Sequence, residues 1–238
     1  GAVLYFGPWL LPAIFLGAFL VNYTVNTPFL PLLSISTGNM LEAYFGQYII
    51  CHMLREQAFK NYTEIFAISA AAILSSFISA TLGVGSLYFL GEIKTGHFFY
   101  SWYTWWSGDT AGIFIILPLF SEFYLNRLIQ VRLPPVKTLL TIASLIVMVL
   151  LTYLVFVEKW NQAFIWILSP LMILAGLKLG RIVPRALVII ISMLIIALTA
   201  FGHGPFEYGS VNQDLIYLQC LIYSFAFSGL FAKPFKTD

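Results

Sequence analysis

Apolar residues run along this chain in long stretches, broken by short groups of glycine, proline and charge. Measured against the ~20 residues that a bilayer-crossing helix needs, the pattern predicts spans at 9–25, 36–54, 62–90, 98–121, 137–157, 163–179, 183–202 and 213–232. Residues 1–6 read as the end of another helix. Alternatively, Pro8 and Pro12 kink one span running from 1 to 25, since proline is tolerated in membrane helices. The expected fold class is all-α: a polytopic transmembrane bundle of about eight or nine spans, forming one integral membrane domain over 1–238.

Composition sharpens this picture. Sixty per cent of the 238 residues are hydrophobic and nine per cent are charged, against the roughly 25% charge of a soluble domain. Such a chain cannot cover itself with a water-facing shell, so lipid is its solvent and its first partner. The formal net charge of +2 is too small and too evenly spread for a nucleic-acid surface. Cys51 and Cys220 lie in apolar segments and read as small buried side chains rather than a disulfide or metal pair. The chain opens in mid apolar run, at Gly1-Ala2-Val3-Leu4-Tyr5-Phe6, and reads as a fragment lacking its N-terminal residues.

Basic residues give the orientation, because short cytoplasmic loops are enriched in them. Arg55, Lys60, Arg127, Arg132, Lys137, Lys178, Arg181, Arg185, Lys233 and Lys236 fall on one side of the predicted bundle, and Lys94 and Lys159 on the other. The first side, and the C-terminus with it, is expected to be cytoplasmic. Loops 26–35, 91–97, 158–162 and 203–212 then face outward. Every connection is short, so any chemistry must lie within the membrane or at its edges.

A charged side chain at mid-bilayer costs ~3 kcal/mol on insertion scales, and one that remains there usually faces the bundle interior. Asp109 lies about eleven residues into its span, ~16 Å deep at the helical rise. Glu42 is shallower, at ~8 Å by the same rise. Trp102, Trp105, Trp106 and Asp109 fall on one helix face at i, i+3, i+4 and i+7, and Asn39, Glu42 and Gly46 share another. Such faces suit a pocket with aromatic walls and a carboxyl that accepts hydrogen bonds or counters a positive charge. Two other readings stay open: an interfacial Trp102 with packing indoles, and a structural, protonated Asp109 bonded to a neighbouring helix. His52, His97 and His203 lack the one-turn spacing of a helical metal site. No metal, cofactor or catalytic residue is expected. The glycines, Gly83, Gly108 and Gly112 among them, read as points of close helix contact.

The segments Pro12-Ala-Ile-Phe-Leu-Gly17-Ala-Phe-Leu-Val-Asn22, Gly38-Asn39-Met-Leu-Glu42-Ala, Ile78-Ser-Ala-Thr-Leu-Gly83-Val and Trp105-Trp106-Ser-Gly108-Asp109-Thr-Ala-Gly112, with Pro118-Leu119, resemble the membrane-associated sensor domain, the first described of the MASE-type families. Trp166-Ile-Leu-Ser-Pro170-Leu, Leu177-Lys-Leu-Gly180, Gly202-His203-Gly204-Pro205-Phe206 and Leu218-Gln219 continue the likeness in order. The usual Trp-Pro start of the second helix is replaced by Leu11-Pro12. The resemblance implies an integral input domain of bacterial signalling proteins in the inner membrane. Its output would be a cytoplasmic histidine kinase of a two-component system, or a cyclic-di-GMP module such as a diguanylate cyclase. Neither a phosphoacceptor-histidine helix nor a Gly-Gly-Asp-Glu-Phe segment occurs here, so this chain should be catalytically silent. Such outputs commonly need dimers, so a homodimer is expected.

The expected function is a helical bundle in which a small ligand or a membrane protein partner biases two packings, the last helix carrying that bias to the output domain. Asp109 and Trp105 lead the candidate ligand contacts, followed by Trp106, Asn39, Glu42, Asn22 and Gln219. The runner-up is a solute-binding transporter component, because intramembrane carboxyls and glycine or proline breaks also mark transport paths. An intramembrane hydrolase using Asp109 and Glu42 as an acid pair is weaker, since no Ser–His or metal constellation lies at one depth.

Overall fold

The computed structural model describes residues 2–53, 62–125, 134–180, 182–204, 206 and 211–231. Among them every regular element is a helix: α1 (Ala2–Phe6), α2 (Leu11–Thr24), α3 (Phe29–Met53), α4 (Tyr62–Phe89), α5 (Phe98–Leu125), α6 (Pro135–Phe156), α7 (Leu168–Leu179), α8 (Ile182–Ala200) and α9 (Val211–Phe231). Single 3-10 segments stand at Pro8–Leu10, Thr95–His97 and Gln162–Ile167. The stretches Ile65–Phe89, Pro135–Phe156, Gln162–Leu179 and Ile182–Ala200 are long and apolar enough to cross a membrane. Helix α3 is as long as the longest of these, but polar residues such as Asn39, Glu42 and Gln47 lower its apolarity.

Two local expectations are corrected, and the choice left open for residues 1–25 is decided in favour of a separate first helix. Helix α3 starts at Phe29, not at 36, because Pro28 and Pro31 occupy positions where a missing N–H costs nothing; the Leu32 amide already bonds the Pro28 carbonyl at 2.9 Å. Residues 1–25 are not one kinked helix. Gly7, at φ +90, takes a backbone conformation that glycine adopts freely and separates α1 from the Pro8–Leu10 turn and α2. Cys51 and Cys220 are exposed, on faces that an apolar helix can turn toward lipid.

The chain forms two compact units, Gly1–Ser121 and Glu122–Asp238. In the first, α3 packs extensively on α4 and α2 packs on α3. One residue per turn of α3 sets the register with α4. The Ser34 hydroxyl donates to the Leu82 carbonyl at 2.9 Å, Gly38 faces Ser79, Glu42 faces Ser76, and Gly46 faces Ser75. A Cβ at Gly38 would stand 3.3 Å from the Ser79 Cα, so the missing side chain is what brings these two backbones together.

In the second unit α7 packs on α8 and α9 around Met172, Ile191, Ile195, Leu221 and Phe225, all fully enclosed. The Ser169 and Ser224 hydroxyls hydrogen-bond across α7 and α9. Lys159 Nζ donates to the Gly204 carbonyl at 3.4 Å, so the turn after α6 and the turn after α8 meet at one end of this unit. Of the basic residues that give the orientation, Arg55, Lys60, Arg127, Arg132, Arg181, Lys233 and Lys236 lie outside the described residues.

Gly229 of α9 leaves room for Val188 of α8, whose Cγ2 would lie 2.9 Å from an added Cβ. A Gly229→Ala variant is therefore expected to lose about 1 kcal/mol, at the low end of overpacking costs. Adding Val188→Ala should restore part of that loss. Thermal unfolding of the two single variants and the double gives the coupling directly.

Candidate functional site

The first unit forms a half-open cavity of about 340 Å³. Its walls follow from helix periodicity. Helix α3 contributes Asn39, Glu42, Ala43, Gly46, Gln47 and Ile50, a single stripe of three- and four-residue steps. Helix α5 contributes a second stripe that runs from Gly108 and Asp109 through Gly112 to Leu117. Ala71 and Ser75 of α4 line it as well, together with Ala2, Val3 and Leu4 of α1 and Ile14 of α2. Four of the lining residues, Ala43, Gly46, Gly108 and Gly112, are small.

Indoles set the rotation of α5. The Trp105 ring lies over Gly83 of α4, with its Cζ2 3.0 Å from where a Cβ would be. Trp106 Nε1 donates to the Ile73 carbonyl at 3.0 Å, and Trp102 Nε1 to the Thr81 hydroxyl at 3.1 Å. Trp102 and Trp106 stack at 5.9 Å. This aromatic face is thus spent on α4, and the stripe beside it, with Asp109, turns to the cavity.

Glu42 is 9% exposed, and its Oε1 accepts a 2.6 Å hydrogen bond from Ser76. The Asp109 carboxyl is bordered by the Trp105 indole and the Ser79 hydroxyl, yet its Oδ2 is enclosed without a hydrogen-bond partner. The Asn39 amide donates one N–H to the Ile35 carbonyl of its own helix at 2.9 Å, which leaves its second N–H and its carbonyl oxygen as remaining polar groups. Among the described residues no group of three His, Cys, Asp or Glu side chains is placed to hold a metal ion.

Of the residues singled out from sequence, Asn39, Glu42 and Asp109 come together on this cavity. Trp105 and Trp106 lie outside its lining, packed on α4. Asn22 bonds the Ala18 carbonyl of α2 at 2.9 Å and is also outside the lining. Gln219 is a buried residue of α9 in the second unit. Gln47, Ser75 and Ser76 were missed. Extending the Asn39–Glu42–Gly46 stripe by one residue reaches Gln47, and Ser75, Ser76 and Ser79 form a polar cluster in an otherwise apolar span. The wall supplied by α1 carries no such signal, being a short apolar run.

A family model described as MASE1 matches residues 1–233. The chain belongs to the MASE1 family. It is therefore an integral membrane domain with a sensory rather than a catalytic role. No curated protein and no solved structure matches the chain. The MASE1 match takes in every cavity-lining residue and all of α9, so cavity and last helix both belong to the shared domain.

Proposed function

We propose that this MASE1 domain is a ligand-responsive input module of a bacterial signalling protein, spanning the inner membrane several times with its C-terminus in the cytoplasm. Occupation of the cavity in the first unit favours one of two helix packings, and the bias leaves through residues 213–238 to a histidine kinase or cyclic-di-GMP module. The domain works as a homodimer in lipid. The observation that carries this reading is the convergence of Asn39, Glu42 and Asp109 on one half-open cavity with largely apolar walls. Buried acceptors without donors are costly to keep, and a ligand that supplies donors relieves that cost. Since a stimulus shifts an equilibrium only by its differential affinity for the two states, the cavity must differ in shape between the packings.

Mass spectrometry of small molecules co-purifying with the chain, compared with its Asp109→Ala variant, tests the proposal. A specific molecule should be retained by the parent and lost from the variant. Retention of bulk lipid alone by both would overturn the small-ligand form of the proposal and point to a membrane protein partner as the stimulus.

A further inference from the structure

The cavity also carries information about the charge of its occupant. Its polar lining consists of the carboxyls of Glu42 and Asp109, the carboxamides of Asn39 and Gln47 and the Ser75 hydroxyl, and among the described residues no Lys, Arg or His lines it. Most of this polar surface accepts rather than donates. Ser76 donates to one Glu42 oxygen, and the Ser79 hydroxyl borders the same carboxyl. Asp109 Oδ2 has no hydrogen-bond partner. The Ser75 hydroxyl is turned back on the Ala71 carbonyl at 2.6 Å, and the Asn39 amide on Ile35. Beside the Asn39 and Gln47 carboxamides, what this lining offers is a pair of acidic residues, which repel an anion and attract a cation with N–H donors.

Size and wall chemistry narrow the class further. A volume of 340 Å³ has room for roughly eleven waters at ~30 Å³ each, far more than a bare metal ion fills. Ile14, Ile50, Ile113 and Ile116 give the rest of the wall an aliphatic surface. The complement is a molecule with a charged, donating head and a compact apolar body. We propose that the cavity binds a small organic ammonium compound, its N–H groups bridging Glu42 and Asp109 and its hydrocarbon part lying against the isoleucines. This inference rests on the ligand-binding reading above and adds the charge of the ligand to it.

Cyclohexylammonium, cyclohexanol and cyclohexanecarboxylate vary the charge at nearly constant shape. Each would be titrated into the 238-residue chain held in nanodiscs of neutral phosphatidylcholine, and binding would be followed by tryptophan fluorescence. The signal of a Gly112→Leu variant is subtracted as background. Gly112 lines the cavity, and a Cβ there would meet nothing within 4 Å, so a leucine fills the space without disturbing the helices.

The ammonium probe should bind at least tenfold more tightly than the alcohol, with the carboxylate weakest. A Glu42→Gln/Asp109→Asn double variant should bring the ammonium-to-alcohol ratio to about one. Where the double variant does not fold, Glu42→Gln alone should lower the ratio severalfold, since it keeps an acceptor for Ser76. Carboxylate binding as tight as ammonium binding, or a ratio unchanged in the variants, overturns the inference. Equal, Gly112→Leu-sensitive binding of alcohol and ammonium overturns charge selectivity while leaving the ligand cavity standing. Absence of any binding sensitive to Gly112→Leu overturns both.

Discussion

Replacing Gly38 with leucine is expected to cost about 1–3 kcal/mol, the usual penalty for forcing atoms into a packed interior, and to disorganise the cavity as well. The added Cβ would meet the Ser79 Cα at 3.3 Å, the Ser79 carbonyl oxygen at 3.4 Å and the Leu82 Cβ at 3.4 Å. Two of these are backbone atoms of α4 and cannot swing aside as a side-chain tip can, so α3 itself must move. Glu42 lies one turn further along the same face, and its 2.6 Å bond to Ser76 depends on that approach. Thermal unfolding in detergent or nanodiscs should show the loss of stability. The Gly112→Leu variant, which meets open space, should be as stable as the parent or more so, because glycine is a poor helix former. Equal destabilisation by the two substitutions would show that Gly38 has no special role in the α3–α4 contact.

The contrast between these glycines also marks what the sequence could reveal. Both stand in apolar helices and read alike as points of close contact, yet one admits a neighbouring backbone and the other borders a cavity. Periodicity identifies residues that share a face, and it placed Asn39, Glu42 and Gly46 together correctly. It does not say what that face meets. In a membrane helix the lipid-facing and interior-facing sides are both apolar, so Cys51 and Cys220 read as buried although they are exposed. For the same reason Trp105, Trp106 and Asp109 could be grouped as one wall, whereas the indoles pack on α4 and Asp109 looks past them into the cavity. Helix extents were legible because charge and glycine interrupt the apolar runs. The exception, the start of α3, fell where two prolines serve as a helix N-terminus while carrying the composition of a loop.

Asp109 is where stability and function should separate. A carboxyl retained for structure loses hydrogen bonds when it is removed, and the protein is destabilised. A carboxyl retained for a ligand is a burden to the empty protein, because one of its oxygens is enclosed with nothing to bond. An unsatisfied buried acceptor of this kind costs about 1–3 kcal/mol, and an apolar replacement of similar size removes that cost, as it does for buried charges in general. Asp109→Leu is therefore expected to raise the stability of the ligand-free chain by about 1–3 kcal/mol, the adjoining cavity accepting the extra methyl groups, while ligand retention is lost. Unfolding of parent and variant in the same nanodiscs, after exhaustive washing to empty the cavity, is the measurement. A gain in stability with loss of ligand is the signature of a residue kept at a cost for its function. A loss of 1 kcal/mol or more, at the lower bound of that same penalty, would assign Asp109 to the architecture instead, with the Trp105 indole and Ser79 hydroxyl that border it as its partners.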